Sequence, residues 1–265
     1  MKQSERRNYL ISGLLNEQPQ YKSMGIPKSI QEQKTLLRAL FNVRMPGEVS
    51  DEFQKVQDDY LREEVSEKGI VKISDLQQIQ KGIYLWQGDI TRLQADAIVN
   101  AANSGMTGCY QPNHTCIDNC IHTFAGIQLR LACAEIMEKQ GFPEPVGRAK
   151  ITSGYNLPCK YVLHTVGPIV NQTAFGWEEV TPKHCRQLAS CYRSCMELAE
   201  KNNCGSIAFC CISTGVFHFP NRKAAEIAVR TVKEYRKETG SKMGVVFNVF
   251  QDDDYEIYEN LLREN

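Results

Sequence analysis

Three side chains of the types that bind transition metals lie close together near the middle of the chain. Cys109, His114 and Cys116 fall within eight residues, and two thiolates with one imidazole form a ligand set that suits zinc. In an extended loop the side chains of His114 and Cys116 leave the same face about 7 Å apart. Gly108 and Pro112 shape the loop so that Cys109 can fold back toward them. The spacing therefore predicts a zinc site here.

An acidic residue follows these ligands directly. Asp118 lies two residues beyond Cys116, where a carboxylate can orient or deprotonate a water molecule. A zinc ion with three protein ligands and an open position can lower the pKa of a bound water toward about 7. In a second interpretation Cys120, one helical turn from Cys116, is a fourth ligand, and zinc only holds the loop. The adjacent Asp118 favours the open site.

The chain around these residues alternates between strand-like and helix-like segments. This alternation predicts an α/β fold with a mixed sheet between helices, whose ligands bind beyond the carboxyl ends of the strands. A near-continuous apolar run is typical of a strand covered on both faces. Strands are expected at 83–86, 97–99, 150–152, 161–163, 206–212 and 245–250, and helices at 120–140, 181–199, 223–239 and 253–262.

Several polar side chains follow predicted strands and are candidates for binding a ligand. Asp89 can accept a hydrogen bond from an exocyclic amine such as that of adenine, although a lone Asp at this place commonly forms an Asx-turn or caps a helix. Asn103 can bond ribose hydroxyls, or it is an ordinary loop residue. Asn100 is expected to hold the loop backbone.

Two further segments have the composition of ligand-binding loops. Ser213, Thr214, Gly215, Val216 and Phe217 lie between a strand and a helix, and backbone N–H groups at such a junction suit a diphosphate. The signal is weak on its own, because many such loops bind nothing. Near the end of the last strand lie Asn248 and Phe250; Phe250 could stack on a base or belong to the core.

The first 75 or so residues differ in kind from the rest of the chain. They are rich in Gln, Glu, Lys and Arg, with apolar residues at helical spacing, which predicts three short helices. Ser50 offers an N-cap. We expect residues 1–75 to form a helical extension that covers one face of the sheet, with a lid or a partner-docking element as the alternative, and residues 76–265 to form the main domain.

Composition excludes several classes of protein. The 31 basic and 31 acidic residues give a formal net charge of zero, so no electrostatic argument supports binding to nucleic acid or to an anionic membrane. The N-terminal sequence lacks the apolar core of a signal peptide, and no apolar run approaches the length of a membrane span. We therefore expect a cytoplasmic protein. Most of the 11 cysteines are expected to be reduced core residues.

Four motifs together resemble a known family. GDIT at 88–91, ADAIVNAAN at 95–103, GRAKITSGYNLPCKYVLHTVGP at 147–168 and SIAFCCISTGVFHFP at 206–220 are similar to the successive signatures of a macrodomain, the three-layer α/β/α module that binds ADP-ribose. The resemblance covers residues 82–265. Where hydrolytic macrodomains of the MacroD type carry a glycine-rich loop ending in Val-Asp, this chain has GCYQPNHTCIDN. That segment resembles the zinc-containing subclass, microbial enzymes with an N-terminal helical extension.

The resemblance implies roles for individual residues. Asp89 and the backbone of Ile90 would contact adenine, Asn103 the distal ribose, and residues 213–217 the diphosphate. Asp118 takes the position of the catalytic Asp, and Asn103 is expected to take part in catalysis with it. The chain departs from the pattern at His218, where many macrodomains have Gly, and at Cys159, where many have Ala.

The resemblance also implies an activity. It predicts a zinc-dependent hydrolase that removes mono-ADP-ribose from Asp or Glu side chains of modified proteins, including lipoylated carrier proteins. Two alternatives stay open. The first is a reader module that binds ADP-ribose without turnover, and the second is a hydrolase of O-acetyl-ADP-ribose. An open metal position beside a carboxylate favours an enzyme over a reader.

Overall fold

Helices and strands alternate along most of the chain, as the sequence predicts. A computed structural model describes residues 1–173 and 176–264. The helices are α1 (Gln3–Glu17), α2 (Ile30–Val43), α3 (Asp51–Lys68), α4 (Ile117–Ala125), α5 (Ile127–Gln140), α6 (Pro182–Lys201), α7 (Asn221–Thr239) and α8 (Asp252–Arg263). The strands are β1 (Val71–Lys72), β2 (Gln78–Gln80), β3 (Ile83–Gln87), β4 (Leu93–Gln94), β5 (Ala97–Ala101), β6 (Ala149–Ser153), β7 (Tyr161–Thr165), β8 (Gln172–Thr173), β9 (Gly176–Trp177), β10 (Ser206–Phe209) and β11 (Gly244–Val249).

A seven-stranded mixed sheet forms the centre of the molecule. Its strand order is β2-β3-β11-β10-β5-β7-β6; the five inner strands run parallel and the two edge strands antiparallel. Helix α7 packs against α6 and α8, which contact the sheet, while α4 and α5 pack together and against β5 and β6. The predicted α/β/α architecture is confirmed. Because the inner strands are parallel, the loops that follow β3, β5, β10 and β11 emerge at one edge of the sheet.

Several predicted boundaries are also confirmed. Thr181 caps α6, its hydroxyl accepting a hydrogen bond from the backbone N–H of His184 at 3.2 Å. Gly240 ends α7 in the left-handed conformation with φ +71°. Ser50 caps α3 through the N–H of Phe53 at 3.2 Å. In each case a local capping rule fixes the boundary.

Two predicted elements are wrong in extent. The helix expected over 120–140 is two helices, because Gly126 has φ +99° and separates α4 from α5. A side chain at this glycine would lie 2.6–3.0 Å from the side chains of Gln128, Gln57 and Asn156. The strand expected over 206–212 ends at Phe209, since the chain turns there to begin the loop that leads to α7. Hydrophobicity alone shows neither break.

The N-terminal segment has a hydrophobic cluster of its own. The predicted three helices are present as α1, α2 and α3, and their apolar faces meet around side chains such as Leu10, Leu37 and Leu61, joined by Ile127 of α5. Helices α2 and α3 pack on α4, which itself packs on β5. The extension therefore covers the helical layer, and the expectation that it covers the sheet face directly is wrong.

The division at residue 75 stays a prediction. Near it, β1 pairs with β4 in a small parallel ladder, so strand pairing joins the first 75 residues to the rest of the chain. Residue 265, the last of the predicted main domain, lies outside the described residues. In the described part of the chain no helix combines the length and apolarity that crossing a membrane requires.

Candidate active site

The three predicted metal ligands come together in the loop between β5 and α4. The ligand atoms of Cys109, His114 and Cys116 all lie within 4.8 Å of one another, and Cys109 Sγ is 3.6 Å from His114 Nδ1. With zinc–sulfur and zinc–nitrogen bonds of about 2.3 and 2.05 Å, a tetrahedral ion places its sulfur and nitrogen ligands about 3.6 Å apart. The donor set and this spacing fit a zinc ion.

Cys120 is not part of this group. Its Sγ lies 3.5 Å from Nη2 of Arg38 and 3.8 Å from the carbonyl oxygen of Thr115. Among the described residues the cluster thus supplies three ligands and not four, which leaves room for a water or substrate atom.

Cys116 also begins α4. It is the N-cap residue, and its Sγ accepts a hydrogen bond from the backbone N–H of Asn119 at 3.4 Å. Burial raises the pKa of the Cys116 thiol to about 12. An arriving cation must therefore displace a proton, as is general for thiolate ligands.

Asp118 lies in the first turn of α4 and is buried. The amide nitrogen of Asn100 donates to its Oδ1 at 2.8 Å, and that of Asn103 donates to its Oδ2 at 3.2 Å. Burial raises the pKa of Asp118 to about 6, while the bond from Asn100, the charge of Arg130 and the bond from Asn103 oppose that rise. The carboxylate is fixed in orientation and is a stronger base than a solvated Asp.

Asn100 has a different role from the expected one. It was expected to hold the loop backbone, but its side chain is buried between Asp118 and His164, with 3.1 Å from its Nδ2 to His164 Nδ1. A strand-end Asn can turn inward because alternate strand residues face the helical layer. Asn100 thus supports the carboxylate.

A second group of possible ligands lies behind Asp118. His122, Cys133 and His164 are buried, with ligand atoms within 4.8 Å of one another. Because Asn100 donates to Nδ1 of His164, its Nε2 carries the proton and donates to Thr152 Oγ1 at 2.9 Å. This nitrogen has no free lone pair for a metal. Burial lowers the pKa of His164 to about 3, so the ring is neutral. Both of its nitrogens make hydrogen bonds within the core.

His122 makes different contacts from His164. Neither of its ring nitrogens has a hydrogen-bond partner among the described residues, and its Nε2 lies 3.6 Å from Oδ1 of Asp118. Burial, followed by the charges of His164 and Arg130, lowers the pKa of His122 well below its usual value. The His122 ring is therefore neutral and lies against the Asp118 carboxylate.

Gly108 is where the loop passes over this ring. It has φ +85°, and a Cβ at this position would lie 2.7 Å from Cγ of His122. We predict that Gly108→Ala lowers the free energy of unfolding by about 3 kcal/mol, from backbone strain and this clash. Urea denaturation measures the change. Gly25→Ala, where nothing lies within 4 Å, is the control and should change it little; an equal loss in both variants would contradict the clash.

The adenine candidates lie at the end of β3. Asp89 caps a short 3-10 turn, its Oδ1 accepting from the backbone N–H of Thr91 at 3.0 Å and from its hydroxyl at 2.6 Å. Asp89 thus makes the cap that a lone Asp commonly makes, and Ile90 beside it is buried. Asn248 donates its amide to the carbonyl oxygens of Trp86 and Gly88 at 3.3 and 3.0 Å. It therefore fixes the turn that carries Asp89.

Phe250 follows β11 at the same edge of the sheet. It is 71% exposed, so the alternative that it belongs to the core is wrong. An exposed aromatic ring at a strand end is available for stacking on a base.

The predicted diphosphate loop follows β10. Ser213 has φ +69° and is buried, and its hydroxyl has no partner among the described residues. A side chain at Gly167 would lie 2.0 Å from Ser213 Oγ, so the two segments touch closely. Gly215 and Val216 are exposed at the tip of the loop. The ring of His218 stacks on Trp177 at 4.2 Å between centroids, which places β9 over the loop. No motif in the sequence marks Trp177 as part of this loop's surroundings.

Four further polar side chains belong to the site although no motif marks them. Arg38 and Asn42 of α2, Asn119 of α4 and Arg130 of α5 hold the backbone of the ligand loop. Single polar residues on helices carry no motif, so spacing gives no signal for them.

The fold and the site together define an α/β/α protein whose candidate ligand residues and metal-type ligands gather at the carboxyl edge of one sheet. The chain is 54% identical to a protein-ADP-ribose hydrolase of Treponema medium over 266 residues. The alignment covers 99% of this chain and 100% of that relative. It is 50% identical to a protein of the same name in Staphylococcus aureus, over 96% of this chain and 94% of that one. The crystal structure of the Trypanosoma brucei macrodomain in complex with ADP-ribose superposes with a TM-score of 0.64 at 31% identity, covering 85% of this chain and 94% of that one. The Macro domain profile matches residues 99–228. The chain belongs to the macro domain family.

Proposed function

We propose that this protein is a protein-ADP-ribose hydrolase that uses zinc to remove mono-ADP-ribose from Asp or Glu side chains. The observation that carries the proposal is the buried Asp118 carboxylate, held by Asn100 and Asn103 and two residues from Cys116 of the ligand cluster. The names of the near full-length relatives support an enzyme. The zinc dependence and the Asp/Glu specificity are supported by the donor set and by the motif resemblance.

The ligand cluster, Asp118 and Asn103 have separate roles in the proposed reaction. Cys109, His114 and Cys116 would hold the zinc ion, which supplies Lewis-acid chemistry beside the distal ribose. Asp118 orients a water molecule and accepts its proton at a carboxylate oxygen. Asn103, half-buried and already donating to that carboxylate, keeps the carboxylate in place where the ribose would lie.

The rest of the cleft would bind the nucleotide portion. The loop of Ser213, Thr214, Gly215, Val216 and Phe217 precedes the N-terminus of α7, an arrangement that suits phosphate groups. Asp89 and Ile90 lie at the other end, beside Phe250. The strand order β3-β11-β10-β5 supports this order of the parts of ADP-ribose along the sheet edge.

The alternatives separate in one assay. Protein modified on Asp or Glu is incubated with the enzyme, and free ADP-ribose is measured beside calorimetric binding of ADP-ribose. Release at catalytic enzyme concentration supports the proposal, whereas binding without release supports a reader. Release from O-acetyl-ADP-ribose alone would move the substrate to that small molecule. On the motif resemblance we also propose a lipoylated carrier protein as one modified substrate.

Phe250→Ala should weaken ADP-ribose binding without affecting folding. Stacking of a base on an aromatic ring contributes about 1–3 kcal/mol, or roughly 5- to 150-fold in Kd, and the exposed ring supports little of the core. Calorimetry measures the change. Phe142→Ala, at another exposed Phe (53%), is the matched control. Equal Kd values for Phe250→Ala and wild type would exclude stacking on Phe250.

A further inference from the structure

Helix α2 of the N-terminal extension contacts the ligand loop directly. Arg38 Nη2 donates to the carbonyl oxygen of His114 at 2.7 Å and to Oδ1 of Asn119 at 3.1 Å. One turn later, Oδ1 of Asn42 accepts a hydrogen bond from the backbone N–H of Asn113 at 2.9 Å. Two successive turns of α2 thus hold the backbone at His114, one of the predicted ligands, and at the residue before it.

The loop depends on such outside contacts for its shape. Residues 102–116 contain no helix or strand, so no backbone ladder fixes them. Asn113 has φ +57°, a left-handed conformation that Asn adopts more readily than most residues with a side chain but that still costs free energy. Neighbouring elements must therefore select this conformation of the loop.

The anchor is itself firmly held. The amide nitrogen of Asn42 donates to Thr123 Oγ1 at 2.8 Å. Arg130 donates to the carbonyl oxygen of Asn42 at 2.8 Å and to that of Cys109 at 3.4 Å, so one guanidinium joins the end of α2 to the first ligand. The opposite face of α2 is buried in the N-terminal cluster through Leu37 and Leu40. The side chains that connect α2 to the loop have little freedom, so the position of α2 determines the position of the loop.

We propose that Arg38 and Asn42 are positioning residues for the metal site, and that the N-terminal extension sets how tightly zinc is held. The inference rests on the proposed zinc-dependent function. Residues that orient ligands from outside the coordination shell typically change metal affinity by about 10- to 100-fold when mutated.

The test compares Arg38→Ala and Asn42→Ala with Lys34→Ala, which removes a cation one turn away on the same helix. Lys34 pairs with Glu64 at 2.8 Å, and no described contact joins it to the loop. Zinc affinity is measured by competition with a chromogenic chelator. We expect Arg38→Ala to bind zinc about 10- to 100-fold more weakly, whereas Lys34→Ala should keep the zinc affinity of wild type. In these variants the Kd for ADP-ribose should stay within about twofold of wild type. Arg38→Lys, which keeps one donor, should lie between.

Amide hydrogen exchange gives a readout that does not require zinc. Loss of the Asn42 acceptor should speed exchange at Asn113 by about fivefold, as expected for one lost hydrogen bond. Wild-type zinc affinity and unchanged Asn113 exchange in Arg38→Ala and Asn42→Ala would overturn the inference. Wild-type protein that binds no zinc would instead overturn the proposed function, and exchange at Asn113 would still decide whether α2 holds the loop.

Discussion

Removal of the metal, or Cys116→Ala, should reduce release of ADP-ribose from Asp/Glu-modified protein by at least about 100-fold. Binding of free ADP-ribose should stay within a fewfold of wild type. The reason lies in the layout of the sheet edge, since the candidate nucleotide contacts follow β3, β10 and β11, whereas Cys116 precedes α4. Release assays on isolated, metal-stripped and zinc-restored protein measure the first quantity, and calorimetry measures the second.

Cys185→Ala is the matched control for this experiment. Cys185 is also a half-buried free cysteine, but it lies on α6 and outside the ligand cluster. Its replacement should leave zinc content and turnover unchanged. If stripped protein turns over at the full rate, zinc only holds the loop in place.

Asp118→Asn should lower kcat by about 10²- to 10⁴-fold, the usual contribution of a general base. The amide nearly preserves the shape of the carboxyl group but cannot accept a proton. Because burial raises the pKa of Asp118, the ionised form is disfavoured in the folded state. This offsets the loss of one accepted hydrogen bond when the new amide NH2 faces Asn100 or Asn103, so the melting temperature should fall by only about 2–4 °C. Single-turnover release and thermal denaturation measure the two effects.

Asp96→Asn provides the opposite pattern. Burial raises the pKa of Asp96, but hydrogen bonds from Lys160 and from the N–H of Gly205 more than offset this and hold it below the usual value. Asp96 precedes β5, at the amino end of the strands, so its replacement should cost stability and spare kcat. A large loss of kcat in Asp96→Asn, or an unchanged kcat in Asp118→Asn, would contradict the assignment of the base.

The sequence predicts the ligand cluster and the strand ends well because these depend on short-range spacing. Cys109, His114 and Cys116 lie on one loop, and loops after parallel strands share an edge by topology. The break at Gly126 was missed, since the side chains that bond the backbone on either side of it, Gln57 at Ile127 and Asn156 at Ala125, are distant in sequence. The role of Asn100 was missed for the same reason.

The contacts of the extension were the hardest to foresee. The bond from Arg38 to the carbonyl oxygen of His114 joins residues 76 positions apart, and no periodicity of α2 marks that side chain. Amphipathic spacing shows that a helix packs against something, but the identity of its partner depends on the tertiary arrangement. The expectation of a cover over the sheet was wrong on this point.

The double use of Cys116 links two equilibria in this protein. One sulfur atom ends the ligand loop and accepts the backbone N–H of Asn119 in the first turn of α4, the helix that carries Asp118. A metal cation that binds this sulfur displaces the thiol proton. The metal-bound thiolate then lies at the positive end of the helix dipole. By mass action, an ion that binds only the folded state raises the thermal midpoint with its free concentration. Under the proposed function, the amount of folded protein and the position of the Asp118 carboxylate would both depend on the metal supply.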